Sequence, residues 1–206
     1  MSESLIGPNA NSDKFGKLPM LTISHGTLMG LSFAIIFPLG SLLIRLKSKY
    51  ALPVHIACQL IGWICMIAGL SMGVQLADIL DIYGQPHTVL GSVIVAALFL
   101  QPAIGYIHHR LFKTKHRRTA WATIHVWYGR ILILIGIING GCGILLVKGS
   151  PFYSQAGTII YAVLTGLSGT MILGLVALGI RRKRLATTKQ AQNDSHELGG
   201  VKATDN

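Results

Sequence analysis

Four of the eight histidines share one setting: His25, His55, His87 and His125 each stand at or just before the N-terminal end of a long apolar run. A neutral imidazole offers one ring nitrogen to a metal while the other donates a hydrogen bond, so histidine is the commonest metal ligand. An ionisable side chain beside an apolar run is costly and usually functional. One such residue alone would be explained by water or lipid headgroups. Four in the same register point to ligation. His108, His109 and His116 break the register; they sit in a basic stretch and are expected to be solvated.

The elements that must carry these histidines follow from composition. Hydrophobic residues make up 51% of the 206-residue chain and charged residues only 12%, and the mean hydropathy is +0.55. A soluble domain needs more charge on its surface. Five spans stand out, over residues 23–46, 54–76, 88–107, 124–147 and 158–180. Each is near or above the ~20 residues that cross a bilayer as a helix. Runs without period-two alternation are not barrel strands. The fold class expected is an all-α integral membrane protein with five transmembrane helices and a four-helix core. Residues 1–22 form a polar N-terminal segment, 23–180 the membrane domain, and 181–206 a basic, then disordered tail. Residues 1–20 lack the apolar core of a cleavable leader, so the first span is expected to direct insertion itself. Pro38 and Pro102 lie within spans and should kink them. Cys58, Cys65 and Cys142 lie in apolar runs and read as small buried residues.

The net charge of +11 sits mostly in three clusters: Arg45, Lys47 and Lys49; Arg110 to Arg118; and Arg181 to Arg184. Each follows an odd-numbered span, so all three fall on one side of the membrane. Residues 77–87, between spans two and three, hold Asp78 and Asp81 and no Lys or Arg. The positive-inside rule puts the clusters in the cytoplasm and the N-terminus outside or in a lumen. This placement leaves no role for nucleic acid.

Direction now sorts the histidines. Consecutive spans alternate, so His25 and His87 lie near the outer face and His55 and His125 near the cytoplasmic face. Two histidines at each face, on different helices, suit two bis-histidine haems. Arg130 lies early in span four; it either snorkels to the interface or pairs with a haem propionate, and its nearness to His125 favours the propionate. Gly30, Gly91 and Gly129 lie about one turn inward of histidines and would clear space for a flat macrocycle or pack helices. Trp127 and Tyr128 stand near His125, and Trp121 and Tyr50 suit the interfacial belts.

The stretches HGTLMG and FPLGSLLIR in span one, PVHIACQLIGW opening span two, PHTVLGSVIVAALFLQPAIGYIHHR in span three and IHVWYGRILILIGIINGGCGILL in span four resemble the cytochrome b561 family. GYIHHR and HVWYGR are most similar to its fungal and DOMON-associated branch. The resemblance implies a core with two non-covalent b-type haems, His25 paired with His87 and His55 with His125. It implies transmembrane electron transfer from a cytoplasmic donor such as ascorbate to an external or lumenal acceptor such as monodehydroascorbate or a ferric chelate. It puts a donor site near Lys47, Lys49, Arg117 and Arg118. The expected partners are membrane lipid, the small-molecule donor and acceptor, and, as an option, a second copy of the chain. The membrane is a plasma membrane or an endomembrane. Two other readings remain open: a haem-bearing anchor subunit of a larger oxidoreductase, and a haem-free transporter or scaffold.

Overall fold

The structure, a computed structural model, describes residues 14–46, 48–115 and 119–204. These residues are helical with no strand among them. The helices are α1 (Leu18–Gly30), a π-helical segment (Leu31–Ile36), α2 (Phe37–Leu43), α3 (Ala51–Leu80), α4 (Pro86–Leu98), α5 (Leu100–Lys115), α6 (Ala120–Val147) and α7 (Gln155–Thr204). They make five spans long and apolar enough to cross a membrane: Leu18–Leu43, Ala51–Leu80, Pro86–Thr114, Ala120–Val147 and Gln155–Gln192.

The outward faces are apolar. Ile64, Val93, Leu145 and Leu167 are each more than half exposed. A water-soluble surface does not tolerate apolar residues in such number, whereas lipid does. Inside, the first four spans neighbour one another in the cyclic order one, two, three, four, so spans one and three lie across a diagonal, as do two and four.

Both internal prolines shape their spans, by different devices. Proline cannot donate to the carbonyl four residues back and clashes with it. For Pro38 that carbonyl belongs to Ala34, inside the π-helical segment that widens the helix ahead of the proline. The buried Ser168 hydroxyl of the fifth span donates to Ala34 O, a neighbour's repair of the kind membrane helices need. For Pro102 the carbonyl is that of Leu98, where α4 ends and the chain breaks step before α5 begins at Leu100. One residue away, the Tyr128 hydroxyl donates to Ala97 O at 2.8 Å. Pro86 occupies the first turn of α4, where its missing N–H costs nothing.

Two boundaries differ from the sequence expectation. The first span begins at Leu18 rather than residue 23, because Pro19 suits a first helical turn. The last helix continues past residue 180 to Thr204; residues 181–192 are Arg, Lys, Leu, Ala, Thr and Gln, without Gly or Pro to stop it.

The residues through Ser168 form one compact unit; the second unit, Gly169 onward, is the remainder of α7. Within the first unit the start of α7 is held to the core by Tyr161. Its ring lies against Gly30 and Gly140, and its hydroxyl donates to Ile137 O at 2.7 Å. Around His25's end of the bundle, Leu18, Leu21 and Leu76 form an apolar cluster with Met72, Ile79 and Phe152 packed on it.

Candidate functional site

The four register histidines meet in two pairs across the diagonals of the bundle. The His25 and His87 rings, from spans one and three, have centroids 5.9 Å apart and planes at 83°. The His55 and His125 rings, from spans two and four, have centroids 6.5 Å apart and planes at 84°. The pairs lie at opposite ends of the bundle, because each histidine opens its own span and successive spans reverse direction.

Each histidine is seated on a neighbouring span. His25 Nδ1 donates to Gly69 O at 2.8 Å, His55 Nδ1 to Gly40 O at 2.8 Å, and His87 Nδ1 to Asn139 O at 2.9 Å. A carbonyl can only accept, so the proton of these three rings is on Nδ1. In the neutral ring Nε2 then carries the free lone pair. That is the arrangement by which an outer hydrogen bond orients a metal-ligating histidine. Spans one and two exchange such bonds with each other; His87 of span three leans on span four.

Glycines make the seats. A Cβ on Gly73 would lie 2.7 Å from His25 Cε1, one on Gly143 2.7 Å from His87 Cε1, and one on Gly105 2.9 Å from His125 Cε1. At the first two seats the residue four before the glycine, Gly69 or Asn139, supplies the carbonyl that holds the ring. The same spacing before Gly105 falls on Gln101. There the side chain acts instead, its Nε2 donating to His125 O at 3.1 Å. His125 Nδ1 has no hydrogen-bond partner. The adjoining break in helix at Phe99, which Pro102 imposes, separates this seat from the other two.

These residues fit a bis-histidine metal group. Two imidazoles on opposite sides of one metal, with bonds of roughly 2.0 Å and about 1.2 Å from nitrogen to ring centre, put their centroids about 6.4 Å apart. The observed 5.9 and 6.5 Å bracket that value. No group of three or more His, Cys, Asp or Glu poised for a bare metal ion occurs among the described residues; an iron porphyrin asks only two ligands of the protein.

Other sequence expectations fare differently. His108 is not solvated. Span three stays helical to Lys115, so His108 follows Gly105 by three residues on the same face, half-buried, with its ring 6.2 Å from that of His125 and inclined by 26°. His109 is also half-buried, since the helix replaces the expected loop. Gly30, Gly91 and Gly129 do not open space beside the histidines. A Cβ there would meet Tyr161, Asn139 Nδ2 and Gln101 Nε2 respectively, so they pack helices. Arg130 is half-buried, with its guanidinium 5.4 Å from the Trp127 ring centre. Tyr128 is committed to Ala97 O. Of the donor-site residues, Lys49 is exposed and lies over the Tyr50 ring, whereas Lys47, Arg117 and Arg118 lie outside the described residues, as does His116.

Sequence reasoning missed the three glycine seats. The signal was present: Gly69 and Gly73 are spaced by four, as are Asn139 and Gly143, but that spacing is read first as close packing of helices.

No family model matches the chain, and no solved structure does. Among curated proteins it is similar to several cytochrome b561 and DOMON domain-containing proteins of Arabidopsis thaliana. One is 29% identical over 185 residues, which are 82% of this chain and 43% of that protein. A second is 26% identical over 191 residues, 88% of this chain and 46% of the relative. A third is 30% identical over 123 residues, 58% of this chain and 30% of the relative. The chain thus spans less than half the length of the curated relatives it matches. It is a distant homologue of these proteins and a cytochrome b561-like membrane protein.

Proposed function

We propose that this distant homologue of the cytochrome b561 and DOMON domain-containing proteins is a membrane oxidoreductase that moves single electrons across a bilayer through two b-type haems. His25 and His87 would hold one haem, and His55 and His125 the other. The observation that carries the reading is the doubled arrangement: two crossed histidine pairs at opposite ends of one apolar bundle, each spaced for one iron. The chemistry supplied by the bound groups is reversible one-electron transfer at iron.

The chain's own residues do the rest. Carbonyls of Gly69, Gly40 and Asn139 hold Nδ1–H and leave the Nε2 lone pair for a ligand. Donation to a carbonyl raises the ligand's basicity, one of the means by which a protein tunes iron. One-electron transfer at iron makes and breaks no covalent bond, so neither a nucleophile nor a general base is needed. Arg130 sits five residues inward of His125. Its described surroundings include Arg45 within Coulombic reach, while Asp78 and Asp81 are at the opposite end of span two. It is suited to a haem propionate.

The basic clusters support a cytoplasmic end at His55 and His125 and an outer or lumenal end at His25 and His87. The natural donor is then a small cytoplasmic anion such as ascorbate, drawn by the basic surface, and the acceptor a monodehydroascorbate or ferric chelate on the other side. The spans from Leu18 onward would make up the electron-carrying domain, and the stretch of α7 beyond residue 180 would extend on the cytoplasmic side.

The test is purified protein in sealed vesicles with ferricyanide trapped inside and ascorbate added outside. Reduction of the trapped acceptor by protein-containing vesicles, and not by empty ones, is expected. Haem-loaded vesicles that reduce nothing across the bilayer would refute transmembrane transfer.

A further inference from the structure

At heights between the two histidine pairs stands an aromatic couple with no part in either pair. Phe33 and Phe37 of span one have ring centroids 5.4 Å apart with planes at 84°. They are 6% and 2% exposed, among the most enclosed side chains in a protein whose helices mostly face outward.

Three spans fix their height. Along span one, Phe33 is eight residues inward of His25, roughly 12 Å at helical rise. Phe37 is three residues short of Gly40, whose carbonyl holds His55. On span four, Phe33 packs on Gly136, seven residues inward of Gly143, the seat of His87. On span two, Phe37 packs on Gly62, seven residues inward of His55. Phe33 therefore stands closer than Phe37 does to the His25/His87 pair, Phe37 closer than Phe33 to the His55/His125 pair, and the rings touch edge to face. The notches are built for them: a Cβ on Gly62 would lie 2.7 Å from Phe37 Cδ1, and one on Gly136 would overlap the Phe33 ring.

The local backbone serves the same placement. The π-helical segment Leu31–Ile36 and Pro38 surround both residues. Ser32, fully buried between them and α3, donates to Gly62 O at 3.0 Å. That bond fixes span one against the glycine that receives Phe37.

We infer that Phe33 and Phe37 form the bridge for the internal electron hop. The inference rests on the two-haem reading. With haems bound, one electron would pass from the ferrous group that His55 and His125 would hold, leaving it ferric, to the ferric group that His25 and His87 would hold, leaving that one ferrous. No bond or proton changes place, and the rings are not themselves oxidised. Tunnelling through a dry interior depends on atoms in contact along the line, and an empty gap offers none. Two rings in contact, keyed into opposite helices, supply packed atoms over the middle of that line.

The experiment uses the full-length, haem-loaded protein and the variants Phe33→Leu, Phe37→Leu and both together, with Leu21→Ala as a control on the far side of His25. A laser-driven photosensitiser injects one electron, and the redistribution between the haems is followed by transient absorbance. Haem content and both midpoint potentials are measured on the same samples. The double variant is expected to keep both haems and both potentials while redistribution slows by about an order of magnitude; Leu21→Ala should not slow it. A double variant with an unchanged rate overturns the bridge. So does slowing accompanied by matching shifts in potential, which would assign the rings to packing alone. If the leucine pair does not fold, methionine at both sites, unbranched and able to fill irregular gaps, also removes the rings, with the same two outcomes. Wild-type protein without haem would instead refute the two-haem reading, so the two failures are distinct.

Discussion

Gly73→Ala should empty one haem site and leave the other filled. The new Cβ would lie 2.7 Å from His25 Cε1 and 2.8 Å from Nδ1. Ordinary contact begins at 3.4 Å, so the ring must retreat by the difference, about 0.7 Å. A metal–ligand distance tolerates roughly 0.2 Å. The ring is also tethered, through Nδ1, to Gly69 O one turn away on the same helix, so it cannot step back and keep that bond. Overpacking of this kind costs about 1–3 kcal/mol and the lost hydrogen bond about 1 kcal/mol. Together they weaken the site by roughly 2–4 kcal/mol, about thirty- to seven-hundred-fold in affinity. The assay is haem per polypeptide in purified protein, with the reduced α-band as a check on ligation. The ratio should fall from two towards one, and the haem that remains should be lost on further replacing His55. Gly26→Ala, where a Cβ meets nothing within 4 Å, should retain both. Gly73→Ala protein with two haems and a wild-type spectrum would refute the seat as the device that positions His25.

Three further outcomes follow from the same geometry. His87→Leu should remove the haem shared with His25 and spare the other, as judged by haem content and the loss of one of two midpoint potentials. His108→Ala should keep both haems, because His55 rather than His108 stands across the diagonal from His125 with its Nδ1 held; loss of one haem would make His108 the ligand. Ser168→Ala leaves the Ala34 carbonyl freed by Pro38 without its donor. It should cost roughly 1–3 kcal/mol and lower the thermal midpoint in detergent by several degrees without changing haem content.

Much of this was legible in the sequence because a bilayer imposes simple rules. Span number came from the length of apolar runs, and the diagonal pairing of His25 with His87 and His55 with His125 from alternation of direction alone. What was not legible depends on contacts between spans. The distance from Gly73 to His25 is set by how spans one and two pack, and no period in either run encodes it. His108 was misplaced for a related reason. The basic residues from Arg110 to Arg118 look like a loop, yet Leu111 to Lys115 are helix formers and the helix continues through them, carrying His108 back beside His125. Pro102 was correctly read as a disturbance, but its consequence lies elsewhere: the carbonyl–glycine spacing that holds His25 and His87 gives way at Gln101 and Gly105. Phe33 and Phe37 looked like ordinary members of an apolar run; their position became meaningful only when Gly136 and Gly62 were seen opposite them.

Transfer across the bilayer requires that iron porphyrin occupy the two pairs, independently and at opposite ends. The direct measurement is a quantitative haem assay with a redox titration of purified wild-type protein, expressed with ample haem supply. The expected result is two b-type haems per chain, both low-spin and bis-histidine, titrating as two one-electron steps. Folded protein without a Soret band under those conditions would contradict it.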